Sequence, residues 1–153
     1  MRKIILLINV VLLSIVTFAQ NTGEAPLTAG QKQLNFGVGF SGYGIPTYIG
    51  LDFAVHNDIT VGPVAKLIFD NGNVRFGALG RGDYHFNRII GIPNNFDFYA
   101  GASLGVMFGN NNTDFDFNLQ VGGRYYWSEK WGINLEFGGG SGFGTSLGVS
   151  MKM

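Results

Sequence analysis

From Leu34 to Met153 apolar and polar residues alternate with a period of two. That period belongs to β-strands with each face in a different environment. It is clearest in Phe115–Phe137. Phe115, Phe117, Leu119, Val121, Tyr125 and Trp127 share one face, while Asp116, Asn118, Gln120 and Arg124 share the other. Ser128-Glu129-Lys130 reverses the chain, and Trp131, Ile133, Leu135 and Phe137 carry the apolar face back against Asn134 and Glu136. This spacing predicts a β-hairpin with long strands and aromatic residues crowded at its turn; a helical period fits none of it.

The same reading extended over the chain predicts eight strands of about ten residues, the length a tilted strand needs to cross a bilayer. They run Leu34–Ser41, Thr47–His56, Ile59–Phe69, Val74–Phe86, Asn95–Phe108, the two arms of Phe115–Phe137, and Phe143–Met153. Turn-forming residues separate them at Gly42–Pro46, Asn57-Asp58, Asp70–Asn73, Gly109–Asp114 and Gly138–Gly142. Asn87–Asn94 is a longer connection whose Ile89, Ile90 and Ile92 suit a membrane interface. Pro63 lacks the N–H that a paired strand uses and predicts a bulge in the third strand.

Ahead of the alternation, the start of the chain reads differently. Arg2 and Lys3, the apolar run Ile4–Val16 and the small residues near Ala19 predict a cleaved signal peptide over residues 1–19. The run is shorter than the ~20 residues of a membrane-spanning helix. Residues 20–33, polar and rich in helix and strand breakers, read as a flexible periplasmic leader, and residues 34–153 as one barrel domain.

Composition then narrows the class. Charged residues are 13% of the chain, about half the share usual in soluble domains, while hydrophobic residues reach 46% and glycine numbers 25. The formal net charge is zero, and about −2 once Arg2 and Lys3 are gone, which leaves no nucleic-acid footprint. There is no cysteine, so an exported fold must draw its rigidity from a closed hydrogen-bonded sheet.

Eight evenly spaced antiparallel strands imply a closed up-and-down barrel, of which two inside-out versions exist. Volume decides between them. Thirteen phenylalanines and tryptophans fall on the apolar face, Phe36, Phe53, Phe76, Phe96 and Phe117 among them, and an eight-stranded interior has no room for such a set. The polar face is rich in glycine and suits a narrow lumen. Five cations, Lys66, Arg75, Arg81, Arg124 and Lys152, share that face with five acids, Asp52, Asp83, Asp97, Asp116 and Glu136. Parity of this kind is what a lumen requires, because a buried charge without a partner is costly. Arg81 with Asp83, and Arg124 with Glu136, are expected as lumen ion pairs. The expected fold is therefore an all-β, transmembrane, antiparallel eight-stranded barrel with a polar, charge-paired lumen.

The segments Arg81–Gly101 (RGDYHFNRIIGIPNNFDFYAG) and Gly122–Gly140 (GGRYYWSEKWGINLEFGGG) resemble the small outer-membrane barrels of Gram-negative bacteria, of the OmpA-transmembrane-domain and OmpX type. More narrowly, the chain resembles the outer-membrane β-barrel domain proteins of Bacteroidota, over Leu34–Met153. The resemblance implies an integral outer-membrane location, contact with outer-membrane lipid, and insertion by the barrel assembly machinery. Such barrels commonly end in an aromatic residue, whereas this chain ends in Met153. It also implies periplasmic termini, with Asn57-Asp58, Asn87–Asn94 and Ser128–Lys130 as periplasmic turns. Tyr125, Trp127 and Trp131 would then form part of the aromatic girdle at that interface.

Candidate chemistry is thin. Some outer-membrane barrels are lipid-modifying enzymes with a His-Ser-acid group near the outer leaflet. His56 and His85 lie at the opposite ends of their strands and adjoin no serine in sequence, so both read as structural lumen histidines. Gly37-x-Gly39-x-x-Gly42 is not followed by a helix and is no dinucleotide site. Asn110, Asn112, Asp114 and Asp116 lack the glycine and distal glutamate of a calcium loop. No cofactor or metal is expected and no catalytic residue is assigned. The expected role is structural or partner-binding; a narrow small-solute channel and a soluble lipocalin-like binding barrel are the alternatives.

Overall fold

The computed structural model describes residues 23–42, 44–109, 112–140 and 144–153. The expected signal peptide, residues 1–19, lies outside them, as do the start of the leader and parts of the connections at Gly42–Pro46, Gly109–Asp114 and Gly138–Gly142.

Eight strands follow in order: β1 Lys32–Ser41, β2 Ile45–His56, β3 Ile59–Asp70, β4 Asn73–His85, β5 Phe96–Gly109, β6 Asn112–Tyr126, β7 Trp131–Gly140 and β8 Gly144–Lys152. A single helical turn, α1, Asn87–Ile90, interrupts them after β4. Each strand pairs antiparallel with its neighbours in sequence, and β8 pairs with β1, closing an up-and-down barrel. Closure leaves no sheet edge exposed.

The ladder register sets the shape. From Arg124 on β6 the partners run through Asn134, Gly148, Gly37, Tyr48, Lys66, Gly77 and Met107. The circuit returns to β6 at Asp114, so one turn around the barrel climbs from 124 to 114, a stagger of ten residues. Ten is even, which keeps inward residues inward all the way round. With eight strands, this stagger tilts each strand by about 40° from the barrel axis. A twelve-residue strand such as β2 or β3 then rises about 30 Å along that axis.

The faces divide as the alternation predicts. Phe36, Phe40, Phe69, Phe76, Phe98, Phe117, Leu119 and Phe137 point outward and are exposed, while Gln33, Asn35, Asp52, Asp83, Asp97, Gln120, Arg124 and Asn134 are buried inside. The molecule is thus apolar without and polar within. Among buried residues the polar and charged ones outnumber the hydrophobic, the reverse of a water-soluble domain.

Local chemistry places the ends of the strands. At the β3–β4 turn Asn71 (φ 44°) and Gly72 (φ 85°) take the left-handed conformations that a tight two-residue hairpin demands. Pro63 does not make a bulge: it sits in an unbroken β3–β4 register opposite Gly80. The irregularity lies in the β2–β3 ladder between Ala54 and His56, at the hairpin end.

Residues 23–31 correct the expectation of a flexible leader over this stretch, and Lys32 and Gln33 already belong to β1. Ala25 and Leu27 are buried. The backbone is tied by Gly30 N–H to Ala54 O (2.8 Å), Ala54 N–H to Gln31 O (3.0 Å) and Ala29 N–H to Asn57 Oδ1 (3.0 Å). Asn87, fully buried, donates from Nδ2 to Glu24 O and Phe96 O and accepts from Phe98 N–H. The leader therefore packs against the end of the barrel formed by α1 and the β2–β3 turn.

Candidate functional site

The interior falls into two parts along the axis. Toward the chain termini it is filled by side chains around Arg124. The guanidinium donates from Nη2 to Asp52 Oδ2 (3.1 Å) and from Nη1 to Asp97 Oδ2 (2.9 Å), and it lies 4.1 Å from the centroid of the Tyr99 ring. Every one of these groups is nearly inaccessible to water, so the attraction is felt at low dielectric and the stranding of any one charge would be costly. Asp52 is further satisfied by Asn35 Nδ2 (2.8 Å). Ser150 Oγ donates to Asn35 Oδ1 (2.7 Å), Asn134 Nδ2 to Ser150 Oγ (2.9 Å), and Tyr48 Oη to Asn134 Oδ1 (2.8 Å). Tyr126 donates to Gln33. The chain of bonds crosses the lumen from β2 to β6 and pins six strands together, β1, β2, β5, β6, β7 and β8.

Above this layer Arg81 holds Asp83 (Nε to Oδ2, 2.5 Å) and Glu136 (Nη2 to Oε2, 2.6 Å). Tyr99 Oη also donates to Glu136 (3.0 Å), and Gln120 Nε2 to Asp83 (3.0 Å). The expected partnership of Arg124 with Glu136 is therefore corrected: Arg81 takes Glu136, and Arg124 takes Asp52 and Asp97. In the β6–β7 ladder Glu136 stands opposite Gly122, one inward position above Arg124, whose own partner is Asn134. Tyr99 fills the space between them because Gly122 has no side chain; a Cβ there would collide with the Tyr99 ring.

The remaining assigned charges lie nearer the two rims. Lys66 reaches Asp116 across the lumen (3.4 Å). Arg75 binds Asp114 (3.0 Å), which is 61% exposed, so this pair sits at the mouth and not in the buried network. Lys152 places its ammonium 4.1 Å from the Tyr126 ring centroid at the terminal end, a cation–π contact instead of a carboxylate pair. Tyr125, Trp127 and Trp131 are exposed on the outer wall around the β6–β7 turn, with Phe96 packed on Tyr125 at 4.9 Å.

The histidines separate. His85 is buried, with Nδ1 2.7 Å from Asp97 Oδ1 and Nε2 3.0 Å from Thr60 Oγ1. His56 is corrected from a lumen position to an exposed one beside Asp58 (3.6 Å), because the register shift at Ala54/His56 takes it off the alternation. Thr60, His85 and Asp97 reproduce the hydroxyl–imidazole–carboxylate order of a nucleophilic triad. All three are at most 4% exposed, so no substrate carbonyl can reach Oγ1, and the group serves as a buried brace between β3, β4 and β5.

Toward the other end the lumen opens into a cavity of about 320 Å³. Its walls combine Val64, Leu79 and Met107 with Lys66, Arg81, Asp116 and Glu136. Asn118 also lines it; this side chain is 8% exposed, and its Nδ2 has no hydrogen-bond partner among the described residues. Asn118, Tyr48, Tyr99, Asn134 and Ser150 escape a reading built on charges; their only signal in the sequence is that they share the polar parity.

No known protein-family description and no curated protein sequence matches the chain. Solved structures do match in fold. The N-terminal β-barrel domain of Pseudomonas aeruginosa OprF aligns with a TM-score of 0.64 at 14% identity, over 83% of this chain and 100% of that one. A de novo designed transmembrane β-barrel aligns equally well, with a TM-score of 0.64 at 16% identity over 83% and 98%. Neisserial surface protein A, NspA, aligns at 0.57 and 12% identity over 80% and 95%. In architecture, then, the chain is a closed eight-stranded antiparallel up-and-down barrel, similar to barrels that cross membranes.

Proposed function

We propose that this chain is an integral outer-membrane β-barrel, non-enzymatic, that serves as a membrane-embedded scaffold or docks a partner. The observation that carries the reading is the inverted partition. The outer wall is a continuous belt of exposed Phe, Leu, Ile and Val, and the inside is an ion-paired, hydrogen-bonded polar core. Water on the outer wall would leave that belt unburied, whereas lipid covers it. The strand rise of about 30 Å matches the hydrocarbon thickness of a bilayer. The likeness to OprF and NspA in fold points the same way.

With the termini periplasmic, α1 and the β2–β3 and β6–β7 turns lie at the inner interface. There Ile89, Ile90, Tyr125, Trp127 and Trp131 meet the headgroup region and act as the girdle. Outer-membrane lipid is the standing partner, and the barrel assembly machinery acts during insertion. The alternative of a narrow channel is disfavoured, because Arg124, Tyr99, Tyr126 and their partners fill the section between the cavity and the termini. The soluble lipocalin-like alternative is disfavoured because it needs the two faces exchanged.

Cell fractionation with a gel-mobility assay tests the reading. The expected result is recovery in detergent-extracted outer membranes and a mobility shift on boiling. Recovery in the soluble periplasm without a shift would refute it.

A further inference from the structure

We propose that the cavity at the end of the lumen opposite the termini is a binding site for a small amphiphilic carboxylate, with an acid group and a short apolar body. Its volume of about 320 Å³ is at the lower end of the range of small-ligand pockets, and it is closed below by the Arg81–Glu136 layer. Val64, Leu79 and Met107 offer an apolar wall. The buried interior is otherwise mostly polar, Ala54, Ile68, Tyr99 and Tyr126 apart.

The polar side of the cavity explains the acid. Asn118 Nδ2 is a buried amide donor, on a side chain more than nine-tenths buried, without a hydrogen-bond acceptor among the described residues. Such a donor is normally satisfied, and a ligand oxygen would satisfy it. Lys66, reaching from β3 across the lumen, brings its ammonium to Asp116, two residues from Asn118 on β6, at a long 3.4 Å that leaves other ammonium hydrogens to be donated. An amide donor and an ammonium set beside an apolar wall recognise an acceptor group joined to an apolar body. A cation would meet two donors and no unengaged carboxylate: Glu136 is taken by Arg81 and Tyr99, Asp114 by Arg75, and Asp116 by Lys66. The site does not depend on which membrane the barrel occupies, so it stands or falls apart from the location proposed above.

The test is NMR titration of the barrel, refolded in detergent micelles, with phenylacetate and, separately, with phenethylammonium as the charge-reversed counterpart. Phenylacetate is expected to shift the Asn118 side-chain amide and the Met107 methyl signals saturably, with a dissociation constant of about 1 mM or tighter. Asn118→Ala should weaken that binding about ten-fold. Val64→Trp, which fills the cavity, should abolish it while the mobility shift on boiling still reports a folded barrel. Absence of a saturable shift would overturn the proposal, as would equal binding of phenethylammonium or unchanged affinity in Asn118→Ala. The asparagine variant decides the matter by itself should Val64→Trp fail to fold.

Discussion

Replacing Arg124 by Met removes the one cation that lies between Asp52 and Asp97 while keeping much of its volume. The Arg124 side chain is 3% exposed, and the two carboxylates it bridges are 3% and 2% exposed. Breaking a buried pair by deleting one partner costs about 3–5 kcal/mol, most of it for the charge left behind. Two such charges are stranded here, but neither is left bare. Asp52 keeps the Asn35 amide at 2.8 Å, and Asp97 keeps His85 at 2.7 Å. The expected loss is therefore about 3–5 kcal/mol in all and not twice that. Urea unfolding in lipid vesicles, followed by tryptophan emission, measures it. Trp127 and Trp131 both lie on the outer wall, so their emission reports directly on insertion. The triple variant Asp52→Asn, Arg124→Met, Asp97→Asn removes the stranded charges together and should recover to within about 1 kcal/mol of the parent. If Arg124→Met costs less than about 1 kcal/mol, the lumen network is not the barrel's stabilising core. If the triple variant is no better than the single one, the loss comes from the Tyr99 stacking and not from the charges.

Three further outcomes follow from the geometry. Leu119→Arg, at the middle of β6 on the outer wall, should cost about 2–4 kcal/mol in vesicles if that wall faces lipid; a neutral or solubilising effect would place the wall in water. Gly122→Ala should cost about 1–3 kcal/mol by driving a Cβ into the Tyr99 ring, measured by the same urea titration; an unchanged midpoint would mean the ring is free to move aside. Asn87→Ala should cost about 1–3 kcal/mol by leaving Phe98 N–H and two carbonyls without their partner, and it should release residues 23–31 to added protease; continued protection of that segment would show that Ala25 and Leu27 hold it unaided.

Much of this could be read from residue parity. A strand exposes odd and even positions to opposite sides, so Phe117 and Leu119 had to share one environment and Asn118 and Gln120 the other. The bulk of the first set and the glycines of the second then chose outside and inside. The turns at Asp70–Asn73 and Ser128–Lys130 were legible because Asn, Gly and Ser favour the backbone conformations that reverse a chain. The helical turn at Asn87–Ile90 carries too short a pattern to declare itself, and the docking of Ala25 and Leu27 depends on a surface assembled from strand ends distant in sequence.

By itself, then, the sequence determined the strands, their number, and which side of each meets the apolar environment, because these depend on local alternation and volume. Only the tertiary structure decided who meets whom across the lumen. Closing the sheet with a stagger of ten residues sets the relative heights of strands that share no ladder. It brings Arg81 to Glu136, Lys66 to Asp116, and Arg124 to Asp52, where hairpin neighbourhood alone suggested Arg124 with Glu136. The same closure leaves Asn118 beside an apolar-walled cavity, a juxtaposition that no run of neighbouring residues encodes.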